Sequence, residues 1–221
     1  MVSTHNRLGS ATRLLRVAGI IPVALWFAAC VSDKTVVLRY ASDLKLERLP
    51  SARAVTVFRF ADRRGDEGDG NPLRVGGMYG RYGDRVAKVY ATTPWPEALV
   101  EDLTIALGER GVETVAVKDQ EYAPGSTTVS SPLALAGEIR NLSTEARFTL
   151  QAHVSGIIRL YDQQGALLLE KPLSARMPRD SGDYQWNKQA SVFENMLNGA
   201  VQHFVRLVVT DSELMKLLTS P

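Results

Sequence analysis

Hydrophobic positions alternate with polar ones most strongly from Phe148 to Tyr161. Phe148, Leu150, Ala152, Val154, Gly156, Ile158 and Leu160 fall on one side. Thr149, Gln151, His153, Ser155, Arg159 and Tyr161 fall on the other, with Ile157 the one apolar exception. A period of two is the signature of a strand with one buried and one wetter face. Asp162-Gln163-Gln164-Gly165 then turns the chain into a partner strand from Ala166 to about Arg176, and Met177 to Gln185 reads as a polar loop. Further strands are predicted over Ala54–Phe60, Arg85–Ala91, Val112–Lys118 and Ser131–Arg140, each β-branched or alternating. In the last of these Leu133, Leu135, Gly137 and Ile139 share a side.

The period changes to that of a helix in two long segments. Leu99, Leu103, Ala106 and Leu107 form one apolar face after a start at Thr93, Pro94 and Pro96, with Thr93 the expected cap and Gly111 suited to the stop. From about Asn187 to Val209, Phe193, Met196 or Leu197, Ala200, Phe204 and Leu207 or Val208 make a buried stripe. Thr210-Asp211-Ser212-Glu213 resembles a capping box for a short last helix through Leu218. A strand, a helix and a close return at Val112 suggest a βαβ element. The expected fold is α+β: a two-layer domain with a mixed, mainly antiparallel sheet of about 5–7 strands and two main helices on one face.

The N-terminus follows a different pattern. Arg7, Arg13 and Arg16 precede an uncharged apolar run from Val17 to Ala29. As a helix these 13 residues reach roughly 20 Å, short of the ~30 Å of a bilayer core. The segment therefore reads as a secretory signal over residues 1–29. The run ends Phe27-Ala28-Ala29-Cys30, and Cys30 is the only cysteine among 221 residues. Residues 30–50 read as a lipidated N-terminus and tether, within which Thr35–Tyr40 could add an edge strand. Residues 51–221 read as a single domain.

Charge enters only as a correction. The full chain has 26 basic and 24 acidic residues. Removing the signal with its three arginines leaves 23 against 24, so the apparent basicity belongs to the discarded piece. No argument for nucleic-acid binding survives.

Candidate chemistry is sparse. The sequence has no nucleophile elbow, no His-Glu-x-x-His, and His153 and His203 lack a spaced carboxylate motif. No catalytic residue, metal ligand or cofactor is assigned. Asp66-Glu67-Gly68-Asp69-Gly70-Asn71 is rich in oxygens but lacks calcium-loop spacing, and reads as a solvated loop. Asp62 to Asp84 holds seven glycines and reads as a long loop or a loose hairpin, with Gly65 to Gly83 expected to be an exposed and mobile excursion. Within it, Met78, Tyr79, Arg81 and Tyr82 among glycines have two readings: a hairpin whose tyrosines fold onto the domain edge, favoured, or a partner-binding surface.

The Ala-Ala-Cys30 ending resembles the lipobox of bacterial lipoproteins, which implies a lipid on the Cys30 thiol and acylation of the new N-terminus. Val31, in place of Asp, implies by the same resemblance the outer membrane, with the domain facing the periplasm. The strand ending Asp62-Arg63-Arg64, the glycine-rich segment, Gly111-Val112 and the terminal Val209-Thr210-Asp211-Ser212-Glu213-Leu214 together resemble the YajG-like family of outer-membrane lipoproteins. The resemblance implies a non-enzymatic envelope lipoprotein, held to the membrane by its lipid and engaging an envelope protein or lipid partner. The alternative is an accessory lipoprotein of a lipid or lipopolysaccharide transport system.

Overall fold

The computed structural model describes residues 32–39, 46–65, 68, 70–79, 84–124, 129–146, 150–180 and 189–219. The signal segment and Cys30 lie outside them. Among the described residues, the unit Asp33–Pro221 holds a mixed sheet of nine strands and three helices.

The organising strand is β7 (Leu133–Ala146), which uses its two edges differently. One edge pairs antiparallel with β8 (Leu150–Asp162) along its whole length, and β8 pairs in turn with β9 (Leu167–Asp180). The other edge is shared in succession by three parallel strands: β2 (Val55–Arg59), β3 (Ala61–Asp62) and β4 (Arg74–Tyr79). Beyond β2 lies β6 (Thr114–Glu121), parallel to it. Beyond β4 lies antiparallel β5 (Arg85–Ala91), and at the margin β1 (Lys34–Val36) runs parallel to β5.

Helix α1 (Trp95–Glu109) and helix α2 (Gln189–Val209) share one core with the sheet. Val55, Val57 and Phe60 from β2 and its end, Leu133, Leu135 and Ile139 from β7, and Val154, Ile158 and Leu160 from β8 meet Leu99, Leu103, Phe193, Leu197 and Phe204 from the helices. The expected α+β class with a mixed sheet is observed, but the sheet is larger than the expected 5–7 strands, three helices accompany it in place of two main ones, and its strand pairings are not mainly antiparallel. The alternation of β8 is also as expected: Leu150, Val154, Ile158 and Leu160 are fully buried, while Gln151 is exposed. A smaller cluster of Phe58, Ala134 and Ala136, flanked by Val117, Tyr122, Val129 and Tyr161, covers part of the opposite face.

Several local readings are corrected. The segment expected as a mobile excursion contains β4, whose Val75 and Met78 are buried. β7 continues past Arg140 to Ala146 because a bulge between Ile139 and Asn141 re-phases it. Ile139 and Leu142, three residues apart, therefore both enter the core, which an uninterrupted period of two forbids. β9 runs on through Met177 to Asp180, where a loop was expected. α1 joins β5 to β6, which are antiparallel and not neighbours, so it is no parallel βαβ crossover.

The helix ends follow local chemistry. Pro94, not Thr93, is the N-cap of α1 and makes no side-chain bond. The orphan amide of Trp95 instead donates to the Pro72 carbonyl at 3.1 Å. At the other end Gly111 adopts φ +83°, with bonds from Val112 N–H to the Leu107 carbonyl and from Gly111 N–H to the Gly108 carbonyl. That double bond is the Schellman stop expected of a glycine there. Helix α3 (Ser212–Thr219) is capped by Asp211, whose Oδ1 accepts from the amides of Glu213 and Leu214 at 3.1 and 3.0 Å. Thr210, expected at the cap, donates its hydroxyl back to the Arg206 carbonyl instead.

Candidate functional site

The glycine-rich segment is built by close backbone approach. β4 lies against β7 with Gly76 opposite Thr144. A Cβ at Gly76 would run into the Thr144 carbonyl, and would stand 2.7 Å from its methyl carbon. Glycine is needed there for packing, not for mobility. Met78 consequently points into the core, 3 % exposed, which removes it as a partner contact. Tyr79 is half-buried, with the Arg85 guanidinium 5.7 Å from its ring centroid and 3.5 Å from its hydroxyl. Arg81 and Tyr82 lie outside the described residues. The cleft between Arg74, Tyr79, Arg85 and Glu145 has a volume of about 10 Å³, room for one water and no ligand.

Between β3 and β4 the chain folds around one buried cation. Arg64, its side chain 1 % exposed, is gripped by Asp62 at 2.7 and 2.8 Å and donates to the carbonyls of Asn71 and Arg74. Its guanidinium lies 5.0 Å from the ring centroid of Trp95, whose indole N–H donates to Asp62 at 3.3 Å. Burial works to raise the Asp62 carboxyl, but the Arg64 contacts outweigh it and hold the group below its ordinary range. This cluster ties β3, the excursion and α1 together. Of the oxygen-rich stretch, Asp66, Glu67 and Asp69 lie outside the described residues, and the Asn71 side chain accepts from the Leu73 amide. Among the described residues no three His, Cys, Asp or Glu side chains are placed to hold a metal ion.

The wetter face of β7, β8 and β9 carries no helix among the described residues. His153 and Ser174 are bonded across the strands at 3.0 Å. With Arg140, Ser155, Ile157 and Pro172 they line an open groove of about 360 Å³. Above it Glu138 receives Arg140 at 2.7 Å and Arg159 at 3.4 Å, and Arg159 also reaches Glu170 at 2.6 Å. Burial pushes the Glu138 carboxyl up, yet the two arginines more than offset it and keep it ionised. His203 lies exposed on α2, away from this ladder.

A second groove, of about 450 Å³, lies between α1 and the segment after β1. Its walls include Leu38, Arg39, Ala98, Glu101, Asp102 and Ile105. The Leu38 side is strapped to α2: the amides of Val37 and Arg39 donate to Glu194 and Asn198 at 3.2 and 3.1 Å, and Asn198 donates back to the Val37 carbonyl at 3.0 Å. Asp102 is only 6 % exposed. Burial, with the adjacent Glu101 carboxylate, raises its carboxyl to about 7. Glu101 itself pairs with Lys118 at 2.9 Å. The sequence reading overlooked Asp102, although it stands three residues after Leu99 and one before Leu103, on the buried stripe of α1.

No family model matches the sequence, and no curated protein matches it. The likeness is to solved structures. A protein of the DUF330 family from Xanthomonas campestris is 12 % identical, with a TM-score of 0.51 over 79 % of this chain and 94 % of its own. At that identity the likeness establishes a shared fold. A Chlamydia trachomatis protein is 13 % identical, TM-score 0.46, over 74 % of this chain and 96 % of its own. Lipoprotein GNA1162 of Neisseria meningitidis is 14 % identical, TM-score 0.30, over 63 % of this chain and 92 % of its own. No helix among the described residues is long and apolar enough to cross a membrane.

Proposed function

We propose that the chain is a non-enzymatic envelope lipoprotein, held in the outer membrane by acyl chains on Cys30, whose periplasmic domain engages an envelope partner. The observation that carries this reading is the position of the only thiol in the chain, directly behind Phe27-Ala28-Ala29 at the end of an apolar run. Several acyl chains, at about 0.8 kcal/mol per buried CH₂, hold a protein on a bilayer lastingly where one is marginal. The fold shared with the Xanthomonas campestris protein supports a domain of this architecture and leaves its activity to experiment.

Two surfaces support the partner reading. One is the end of the β4–β5 hairpin, where Tyr79 stands beside Arg85 and the chain continues into Arg81 and Tyr82. The other is the groove around His153 and Ser174 on the sheet face that carries no helix among the described residues.

The test is intact-mass analysis of the membrane form, followed by affinity capture from envelope extract. A mature N-terminus at an acylated Cys30 is expected, with Cys30→Ser accumulating as full-length precursor. Captured partners should be lost on Tyr79→Ala with Tyr82→Ala, or on Ser174→Arg. A mature N-terminus elsewhere overturns the anchor, and capture unaffected by both sets of variants overturns the surfaces.

A further inference from the structure

The groove beside α1 holds a largely buried acidic side chain. Asp102 is more than nine-tenths buried, lines the groove, and makes no hydrogen bond or ion pair with any described residue. Burial of this kind disfavours the ionised form, and a cationic donor bound in the groove would offset that. Three features of the walls define such a ligand. A single buried carboxylate calls for one cationic hydrogen-bond donor; with Glu101 already engaged by Lys118, the pair falls short of the oxygens a divalent metal needs. Leu38, Ala98 and Ile105, the last 40 % exposed, offer apolar surface to a short aliphatic stem. Arg39 also lines the groove, and a guanidinium suits an anionic group at the far end of that stem. This part of the lining is preorganised, because Val37 and Arg39 are fastened to α2 by three hydrogen bonds.

We propose that this groove binds a zwitterionic aminoalkyl phosphate, its primary ammonium on Asp102 and its phosphate toward Arg39. Such a group occurs free in solution and as the headgroup of an aminophospholipid. The chemistry is shared, and the two sources are separated by the test.

Full-length chain carrying Cys30→Ser, and so free of its own lipid, is titrated with phosphoethanolamine by calorimetry and by amide chemical shifts. Saturable binding with shifts at Ile105 and Arg39 is expected. Phosphocholine, whose quaternary nitrogen has no N–H, should bind at least tenfold more weakly. Asp102→Asn, which keeps the shape and removes the charge, should weaken binding at least tenfold. Arg39→Gln lies in an exposed segment and tests the phosphate end should the Asp102 variant fail to fold; a severalfold loss is expected. Flotation with phosphatidylethanolamine vesicles against phosphatidylcholine vesicles assigns the source: selective flotation points to the lipid headgroup, binding of phosphoethanolamine alone to the free form. Absence of binding to both probes, or affinity unchanged in Asp102→Asn and Arg39→Gln, overturns the proposal.

Discussion

The ring of Phe60 occupies the space that a side chain on Gly137 would need: a Cβ built there would stand 2.6 Å from the ring's edge carbon Cε1. The aromatic thus caps a glycine in the middle of β7, filling the core where the strand itself offers nothing. Gly137→Ala should therefore act as overpacking from both sides, since the same Cβ also meets the Ile157 carbonyl. A loss of about 1–3 kcal/mol or more is expected in urea unfolding. A loss below about 0.5 kcal/mol would mean that Phe60 swings away freely.

The Arg64 cluster predicts a response to acid. Asp62 has its carboxyl held below the ordinary 3.8 once folded. Its stabilisation is then complete above the unfolded value and is lost as pH falls through and below about 4. Arg64→Ala leaves Asp62 and two backbone carbonyls without their cation, and should cost about 3–5 kcal/mol at pH 7. The variant should also lose less further stability on acidification than the parent. Melting temperatures between pH 6 and pH 3 check both statements, and parallel acid profiles would remove Asp62 from the account.

Asp102 carries the opposite sign. Its folded carboxyl sits at about 7, above the unfolded 3.8. The folded state therefore holds the proton more tightly, and stability falls as pH rises from about 4 to about 8. The charged group acting on it is Glu101, itself paired with Lys118; Arg39 lines the same groove. A shift of this size corresponds to roughly 4 kcal/mol at most. Asp102→Asn should abolish that decline, so that parent and variant diverge progressively from pH 5 to pH 8 in thermal unfolding. Identical pH profiles would sink the assignment.

The two faces of β8 should differ sharply. Leu160 is fully buried and Gln151 is exposed. Leu160→Ala should cost roughly 2–5 kcal/mol and Gln151→Ala no more than about 0.5 kcal/mol. Equal losses would place a further layer over the outer face.

What the sequence revealed follows from how each element stores its information. β8 was legible because period-two alternation reports directly which face is buried. The end of α1 was legible because a glycine in a left-handed conformation has one common use there. β4 was not, because its glycines reflect how closely the Thr144 backbone approaches, a fact that belongs to another strand. The far half of β7 was hidden by the bulge at Ile139 and Asn141, which breaks the alternation a strand is read by. Asp102 was hidden by its own polarity: a charged residue within an apolar stripe reads as an interruption of the buried face, when it belongs to it.

The sharing of one edge of β7 by β2, β3 and β4 has a kinetic consequence. All three strands precede β7 in the chain, so each is synthesised before the strand it must pair with. Val55 meets Leu133, and Gly76 meets Thr144, so these ladders close loops of nearly 70 residues or more. Local contacts cannot nucleate them, and topologies of this kind refold on millisecond-to-second timescales. Until Leu133 to Ala146 has been made, the apolar Val55-Thr56-Val57-Phe58 segment can pair on one edge only, with Thr114 to Val117, and its other edge stays open.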